Sequence, residues 1–168
     1  MKRLTCFLLI TLLLLTSTGC TRAVKDSEVP FYYPRSEFDY GNPDGVIVPE
    51  IRDVTGHSND LRYLLALYLQ GPSDPELRFS FPEGTILVEF AQENKVISIT
   101  LSSKAAMMDD IDVVIACACL AETCFAISDA QQVHIQSLVS AAGLSVDTII
   151  TRDSILLPGY EILSEPTE

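Results

Sequence analysis

The sequence has few basic residues, few histidines and none of the common motifs for metal binding, nucleotide binding or hydrolysis. Of 168 residues, 11 are Lys or Arg against 23 Asp or Glu, two are His, and none is Trp. The formal net charge of −12 argues against a nucleic-acid-binding protein, because phosphate contacts need Lys and Arg. The sequence also has no Cys-x-x-Cys pair, phosphate-binding glycine loop, G-x-S-x-G turn or H-E-x-x-H motif. The usual zinc, thioredoxin, nucleotide-binding and hydrolase signatures are therefore missing.

The N-terminal apolar run is too short to span a bilayer. Leu4–Leu15 is about 12 residues long, whereas a membrane-spanning helix needs roughly 20. It follows Lys2 and Arg3 and leads into the small residues of Ser17–Gly19. A basic, then apolar, then small order is typical of a secretory signal peptide, so we predict one over residues 1–19.

The next residue, Cys20, indicates how the protein is attached to the membrane. Ser17–Cys20 resembles the bacterial lipobox, in which cleavage occurs before a Cys whose thiol carries diacylglycerol, although Ser17 stands where Leu is usual. The resemblance implies that Cys20 is lipidated and anchors the protein without spanning the membrane. The alternative is an ordinary secreted protein with a free Cys near its start. Cleavage removes two bases and no acid, which leaves a formal charge of −14.

The mature chain is predicted to form one domain on a short tether. Residues 20–28 comprise Cys20 and a polar, aperiodic tether, residues 29–160 form the domain, and residues 161–168 form a C-terminal tail. No later segment is apolar over a length that could span a bilayer.

Alternation of apolar and polar residues predicts a β-hairpin. Its strands are Thr85–Ala91, with Ile86, Val88 and Phe90 on one face, and Val96–Leu101. Further strands are predicted at Val29–Pro34, Val46–Val48, Gln131–Val139, Ile149–Ile150 and Ile155–Leu157, with residues 50–57 as a connection.

Two helices are predicted between these strands. Apolar residues recur at helical spacing over Leu61–Leu69 and stop at Gly71-Pro72. A second, buried helix is predicted over residues 109–126, where Asp109, Asp110 and Asp112 favour the positive end of the helix dipole. The expected fold class is α/β in the α+β sense, with a mixed β-sheet, a central hairpin and two helices packed on one face.

Several short motifs, taken in order, resemble the GerMN domain of bacterial sporulation and germination lipoproteins. The motifs are Phe31–Tyr33, Glu50–Arg52, Leu64–Pro72, Phe81–Thr85, Ile99–Ser102 and Val133–Ile135, and the resemblance covers roughly residues 29–158. The chain departs from the family at Asn94-Lys95, where a Gly is usual, and at Ser140–Ser154, which replaces a compact turn.

The resemblance implies a non-catalytic envelope protein without a cofactor or metal. Many members of that family are lipoproteins, which agrees with the extracytoplasmic location and the membrane anchor predicted at Cys20, and the resemblance implies contacts to envelope proteins or to further copies of the chain. Sporulation or germination is the process it suggests. The alternative from another class is a small-ligand- or glycan-binding lipoprotein that assists a sensor. An enzyme ranks third, because no nucleophile–base pair can be placed.

Few individual residues are candidates for a site. Arg78, Phe79 and Phe81 cluster in one loop and are predicted to bind a partner, although the two Phe side chains could instead cover the core. The spacing of Cys117, Cys119 and Cys124 fits neither a disulfide nor a shared metal, so we expect small buried core residues. His134 is expected on the strand face opposite Val133 and Ile135 as a half-exposed residue. His57, next to Ser58 and close to Asp60, is not sufficient to indicate a triad.

Overall fold

The structure is a computed structural model that describes residues 27–37 and 45–154. The predicted signal peptide, Cys20, nearly all of the tether, the strand at Ile155–Leu157 and the tail lie outside the described residues. Within the described ranges, no helix has both the length and the apolar character needed to cross a bilayer.

Six strands and two helices make up the described fold. In chain order they are β1 (Glu28–Pro34), β2 (Ile47–Asp53), α1 (Leu61–Tyr68), β3 (Leu87–Glu93), β4 (Val96–Leu101), α2 (Asp110–Ala126), β5 (Gln132–Ser137) and β6 (Asp147–Thr151). Short 3-10 turns lie at Ser103–Ala106 and Arg152–Ser154. β1 and β2 form an antiparallel pair, and the other strands form a sheet of order β3-β4-β5-β6 in which only β4 and β5 are parallel.

The α+β class predicted from the sequence is confirmed. The predicted hairpin is β3-β4, and β3 lies at an edge of the four-stranded sheet, because β5 and β6 add on the other side of β4. Crossing from β4 to the parallel β5 requires a connection of a dozen or more residues, which the chain supplies with α2.

One core joins both sheets and both helices. The four-stranded sheet contributes Ile97, Ile99, Leu101, Val133 and Ile135, α1 contributes Leu64, Leu65 and Tyr68, and β1 contributes Phe31 and Tyr33. Full burial of one such large side chain stabilises the fold by about 1.5–3 kcal/mol. α2 lies along β1, where the backbone N–H of Tyr32 donates to Thr123 Oγ1 at 2.9 Å.

The prediction for the inner face of β3 is wrong in detail. The pairing register with β4 shifts between Leu87 and Glu89, so Leu87 lies opposite Leu101 and Phe90 opposite Ile99. Because directly opposed side chains share a sheet face, Leu87 and Phe90 pack against the core. Ile86, which the alternation placed beside Phe90, is 61% exposed.

β2 extends further than the sequence predicts. Residues 50–53, assigned to a connection, continue the strand opposite β1. The pattern conceals the strand because its alternation is inverted: Glu50 and Arg52 are largely buried, whereas Ile51 is 56% exposed.

The two departures from the GerMN pattern are both ordered turns or strands. Asn94 and Lys95 adopt φ values of +49° and +65°, the left-handed pair that a two-residue hairpin turn requires. Ser140–Ser154 forms a loop, closed by the Ser140 N–H donating to Leu144 O, followed by β6.

Candidate functional site

Glu50 and Arg52 form a largely buried ion pair that joins β2 to the end of α1. Arg52 Nη2 lies 2.6 Å from Glu50 Oε2, and the side chains are only 15% and 11% exposed. The other carboxylate oxygen accepts the N–H groups of Ser73 and Asp74 at 2.8 and 2.9 Å. Arg52 Nη2 also donates to the Gly71 carbonyl at 2.6 Å. This pair therefore fixes the turn that ends α1. We call Glu50, Arg52 and Gly71, together with Phe31 and Tyr33, the Arg52 cluster.

Aromatic rings cover the Arg52 guanidinium. Its carbon lies 5.4 Å from the ring centre of Phe31 and 5.7 Å from that of Tyr33. Tyr33 stacks on Tyr68, with 4.7 Å between ring centres, and donates its hydroxyl to the Tyr68 carbonyl. The Tyr68 hydroxyl donates to Ser80 Oγ at 2.6 Å, and burial raises the pKa of Tyr68 well above 10. Three of the motifs that carry the GerMN resemblance therefore meet here, inside the fold.

The loop predicted to bind a partner splits between core and surface. Phe81 is only 4% exposed and packs into the core, so for this residue the alternative of covering the core holds and partner contact does not. Phe79 is 38% exposed, with its ring over Gly71. Arg78 Nη2 pairs with Asp112 Oδ1 of α2 at 2.9 Å, and these side chains are 35% and 40% exposed.

Arg78 and Phe79 line an open groove of about 460 Å³ that the sequence did not reveal. Met107, Met108, Asp109 and Asp112 border it, and with Arg78 and Phe79 they define what we call the Arg78 groove. Met107 is 72% exposed. The feature of the sequence that could have indicated this groove is the adjacent pair Met107-Met108, directly before the acidic start of α2.

The Arg78 groove lies far from the point where the tether joins the domain. The Arg78 N–H donates to the Pro34 carbonyl at 2.9 Å, at the last residue of β1. The tether enters at Glu28, the first residue of that strand. At about 3.3 Å per residue, β1 separates the two points by roughly 20 Å.

A second open groove, of about 640 Å³, lies at the start of α1 and has a polar lining. Ser58, Asn59, Asp60, Arg62 and Gln92 contribute the polar groups, and Gly56, Leu61 and Phe90 complete the lining. Asp60 caps the helix, since its Oδ1 accepts the Tyr63 N–H at 3.0 Å.

Neither histidine is a lining residue of the two grooves. His134 points to the outer sheet face, as predicted, and its Nε2 lies 2.7 Å from Asp147 Oδ1, which lowers the pKa of that carboxyl. The His57 ring stacks on Tyr63, with 4.0 Å between ring centres. Across residues 27–37 and 45–154, no three His, Cys, Asp or Glu side chains are grouped so as to hold a metal ion.

The three cysteines of α2 are buried core residues, as predicted. Cys117, Cys119 and Cys124 are free thiols at most 2% exposed. Burial raises the pKa of each to about 12. Because the thiolate is the reactive form, these thiols are poor nucleophiles and poor ligands.

Comparison with known proteins adds little to this description. No family model matches the chain, and no curated protein matches it. A crystal structure of a "putative lipoprotein" from Clostridium perfringens is similar, with a TM-score of 0.47 and 20% identity over 75% of this chain and 87% of that chain. The GerMN resemblance therefore rests on the sequence motifs.

Proposed function

We propose that this protein is a lipid-anchored cell-envelope protein that acts by protein–protein contact and catalyses no reaction. The observation that carries the proposal is the position of Cys20, behind a signal-peptide sequence and eight residues before β1 begins. Residues 21–27 span at most about 25 Å when extended. A lipid on Cys20 would therefore hold the domain close to the membrane.

The surface of the domain supports contact as its mode of action. Phe79 and Met107 are both exposed, and both line the Arg78 groove. Aromatic residues and Met are enriched where proteins meet. The three cysteines of α2 are by contrast poor nucleophiles, since burial raises the pKa of each to about 12.

The finer part of the proposal is that the domain is GerMN-like and serves as an envelope scaffold in sporulation or germination. Its support is the role of the motif residues: Glu50, Arg52 and Gly71 hold elements together and are largely buried. Residues that define a scaffold domain are expected to act in this way, whereas catalytic residues are expected to line an accessible site.

Binding of a small polar ligand or glycan is the second candidate function. The polar groove at the start of α1 favours it, because Ser58, Asn59 and Arg62 can supply hydrogen bonds to a hydroxylated molecule. Such a ligand would make the protein an accessory to a sensor.

Mass spectrometry of the N-terminal peptide from isolated membranes tests the anchor. We expect diacylglycerol on Cys20 at the new N-terminus, and loss of the protein from the membrane fraction in Cys20→Ser. Cys6→Ser is the control, because that residue leaves with the signal peptide. An unmodified Cys20 in a secreted chain would overturn the anchor.

Cross-linking of the native protein in its membrane separates the two modes of action. Recovery of envelope proteins supports contact. Recovery of a sugar or small molecule without any protein would replace contact by the second candidate function.

A further inference from the structure

We propose that the Arg78 groove binds a segment of a partner protein in which an apolar side chain is flanked by Lys or Arg. This inference rests on the proposed function, because it names the chemistry of the partner that the protein would contact. It is carried by an apolar part of the groove, by its charge, and by its position on the domain.

The apolar part consists of Phe79, Met107 and Met108. Phe79 is 38% and Met107 72% exposed, so both side chains offer area that a partner would bury. Met is unbranched and polarisable, and it adapts to apolar side chains of different shape. The groove therefore fits one apolar anchor residue without demanding a single identity for it.

The charge of the groove is negative. Glu83, Asp109 and Asp112 lie on its lining with Arg78, and Lys104 Nζ donates to the Glu83 carbonyl at 3.1 Å, so acids exceed bases by one. Arg78 is engaged with Asp112, and among residues 27–37 and 45–154 no ion pair involves Glu83 or Asp109. Asp109 makes no side-chain hydrogen bond to the α2 backbone. Basic residues beside the anchor would complement these carboxylates, and the formal charge of −14 on the mature chain would attract them from a distance.

Charge argues against three other occupants of the groove, namely a second copy of the chain, its C-terminal residues and a lipid surface. A second copy would bring the same acidic surface and a net negative charge. The C-terminal residues 155–168 contain three Glu and no Lys or Arg. Anionic lipid head groups would be repelled.

The position of the groove argues against the tether as its occupant. Ala23 and Val24 of the tether lie between the basic residues Arg22 and Lys25, but Val24 is four residues before Glu28 and reaches at most about 14 Å from it, short of the roughly 20 Å to the groove.

Site-specific photo-cross-linking in intact cells is the first test. A photoreactive phenylalanine analogue replaces Met107 in the full chain, and the matched control carries it at Ile149, which is 58% exposed on β6. Mass spectrometry of the cross-linked peptides then identifies what lies against each position. We expect position 107 to capture a segment with Lys or Arg on both sides of an apolar residue, and position 149 not to capture it.

A synthetic peptide of the captured segment, titrated into the purified protein in detergent, is the second test. We expect Met107→Glu to weaken binding roughly tenfold and Asp109→Asn roughly threefold, with affinity that falls as salt rises. Ile149→Glu and Glu89→Gln are the controls and should bind as the unaltered protein does. Circular dichroism checks that each variant is folded.

The outcomes separate this inference from the proposed function. An acidic segment, a lipid or a peptide of the protein's own sequence at position 107 overturns the basic partner. Protein captured from other surface positions but not from 107 overturns the groove and leaves contact as the function. Failure to capture any protein, from any exposed position, overturns the proposed function itself.

Discussion

Two arginines at different places in the domain show how one kind of ion pair serves two purposes. Arg52 and its partner Glu50 are 15% and 11% exposed, whereas Arg78 and its partner Asp112 are 35% and 40% exposed. Arg52 also donates to the Gly71 carbonyl and lies against two aromatic rings. A charge in the first setting costs stability if it loses its partner, whereas a charge in the second setting is screened by water.

The comparison assigns the two regions different tasks. The Arg52 cluster joins β1, β2 and the end of α1 and leaves little surface for a ligand. The Arg78 groove is bordered by exposed Met107 and by acidic side chains, and its ion pair is partly exposed to solvent. Variants in the two regions test that assignment.

Arg52→Ala is expected to have the largest effect. It leaves Glu50 buried without its cation, so we expect the free energy of unfolding to fall by about 3 kcal/mol. Urea unfolding followed by circular dichroism measures the change. Ile51→Ala is the matched control on the same strand and should cost less than about 0.5 kcal/mol, since Ile51 is exposed. Equal losses from the two variants would remove the structural role assigned to Arg52.

Gly71→Ala is expected to cost about 2 kcal/mol, because two effects add. Gly71 has a φ of +90°, which disfavours any side chain, and an added Cβ would overlap the ring of Phe79. Gly143→Ala isolates the first effect, since Gly143 has a φ of +78° with open space around it, and should cost about 1 kcal/mol. Because Phe79→Ala removes the ring, the Gly71→Ala/Phe79→Ala double variant should lose less stability than the sum of the two single variants. A loss equal to that sum would contradict the predicted overlap.

Lys95→Gly is expected to stabilise the protein by about 1 kcal/mol. Lys95 has a φ of +65° at the second position of the β3-β4 turn, where Gly is the preferred residue. Lys95→Ala removes the same charge without relieving the backbone and should not stabilise. Thermal unfolding of the two variants distinguishes these effects, and an equal gain in both would show that the charge is responsible.

Much of the fold could be predicted from the sequence because its patterns are regular. Three predictions are confirmed by the structure. They are the helix from the spacing over Leu61–Leu69, the helix with the acidic start that is α2, and the strand from the alternation over Val96–Leu101. β2 could be predicted only in part, because its buried residues are the charged Glu50 and Arg52. The inner face of β3 was misassigned because a register shift at residue 88 is invisible to a period-two pattern.

The candidate site could be predicted less well than the fold. The sequence identified the loop containing Arg78 and Phe79 and left open that its two Phe side chains cover the core, but it could not show that Phe81 is the one that is buried. It also could not show that Met107 and Asp109, about 30 residues further along the chain, border the same groove. Proximity of this kind is created by tertiary packing, which places the loop against the start of α2, where Arg78 Nη2 meets Asp112 Oδ1.

The free energy of unfolding of Arg78→Ala, measured in urea beside Arg52→Ala, tests the division between the two regions most directly. The exposed pair with Asp112 is expected to contribute at most about 1 kcal/mol, against about 3 kcal/mol for the buried pair. We predict that Arg78→Ala unfolds at nearly the urea concentration of the unaltered protein. A loss as large as that of Arg52→Ala would contradict the account, because Arg78 would then hold the fold together rather than border a surface kept for contact.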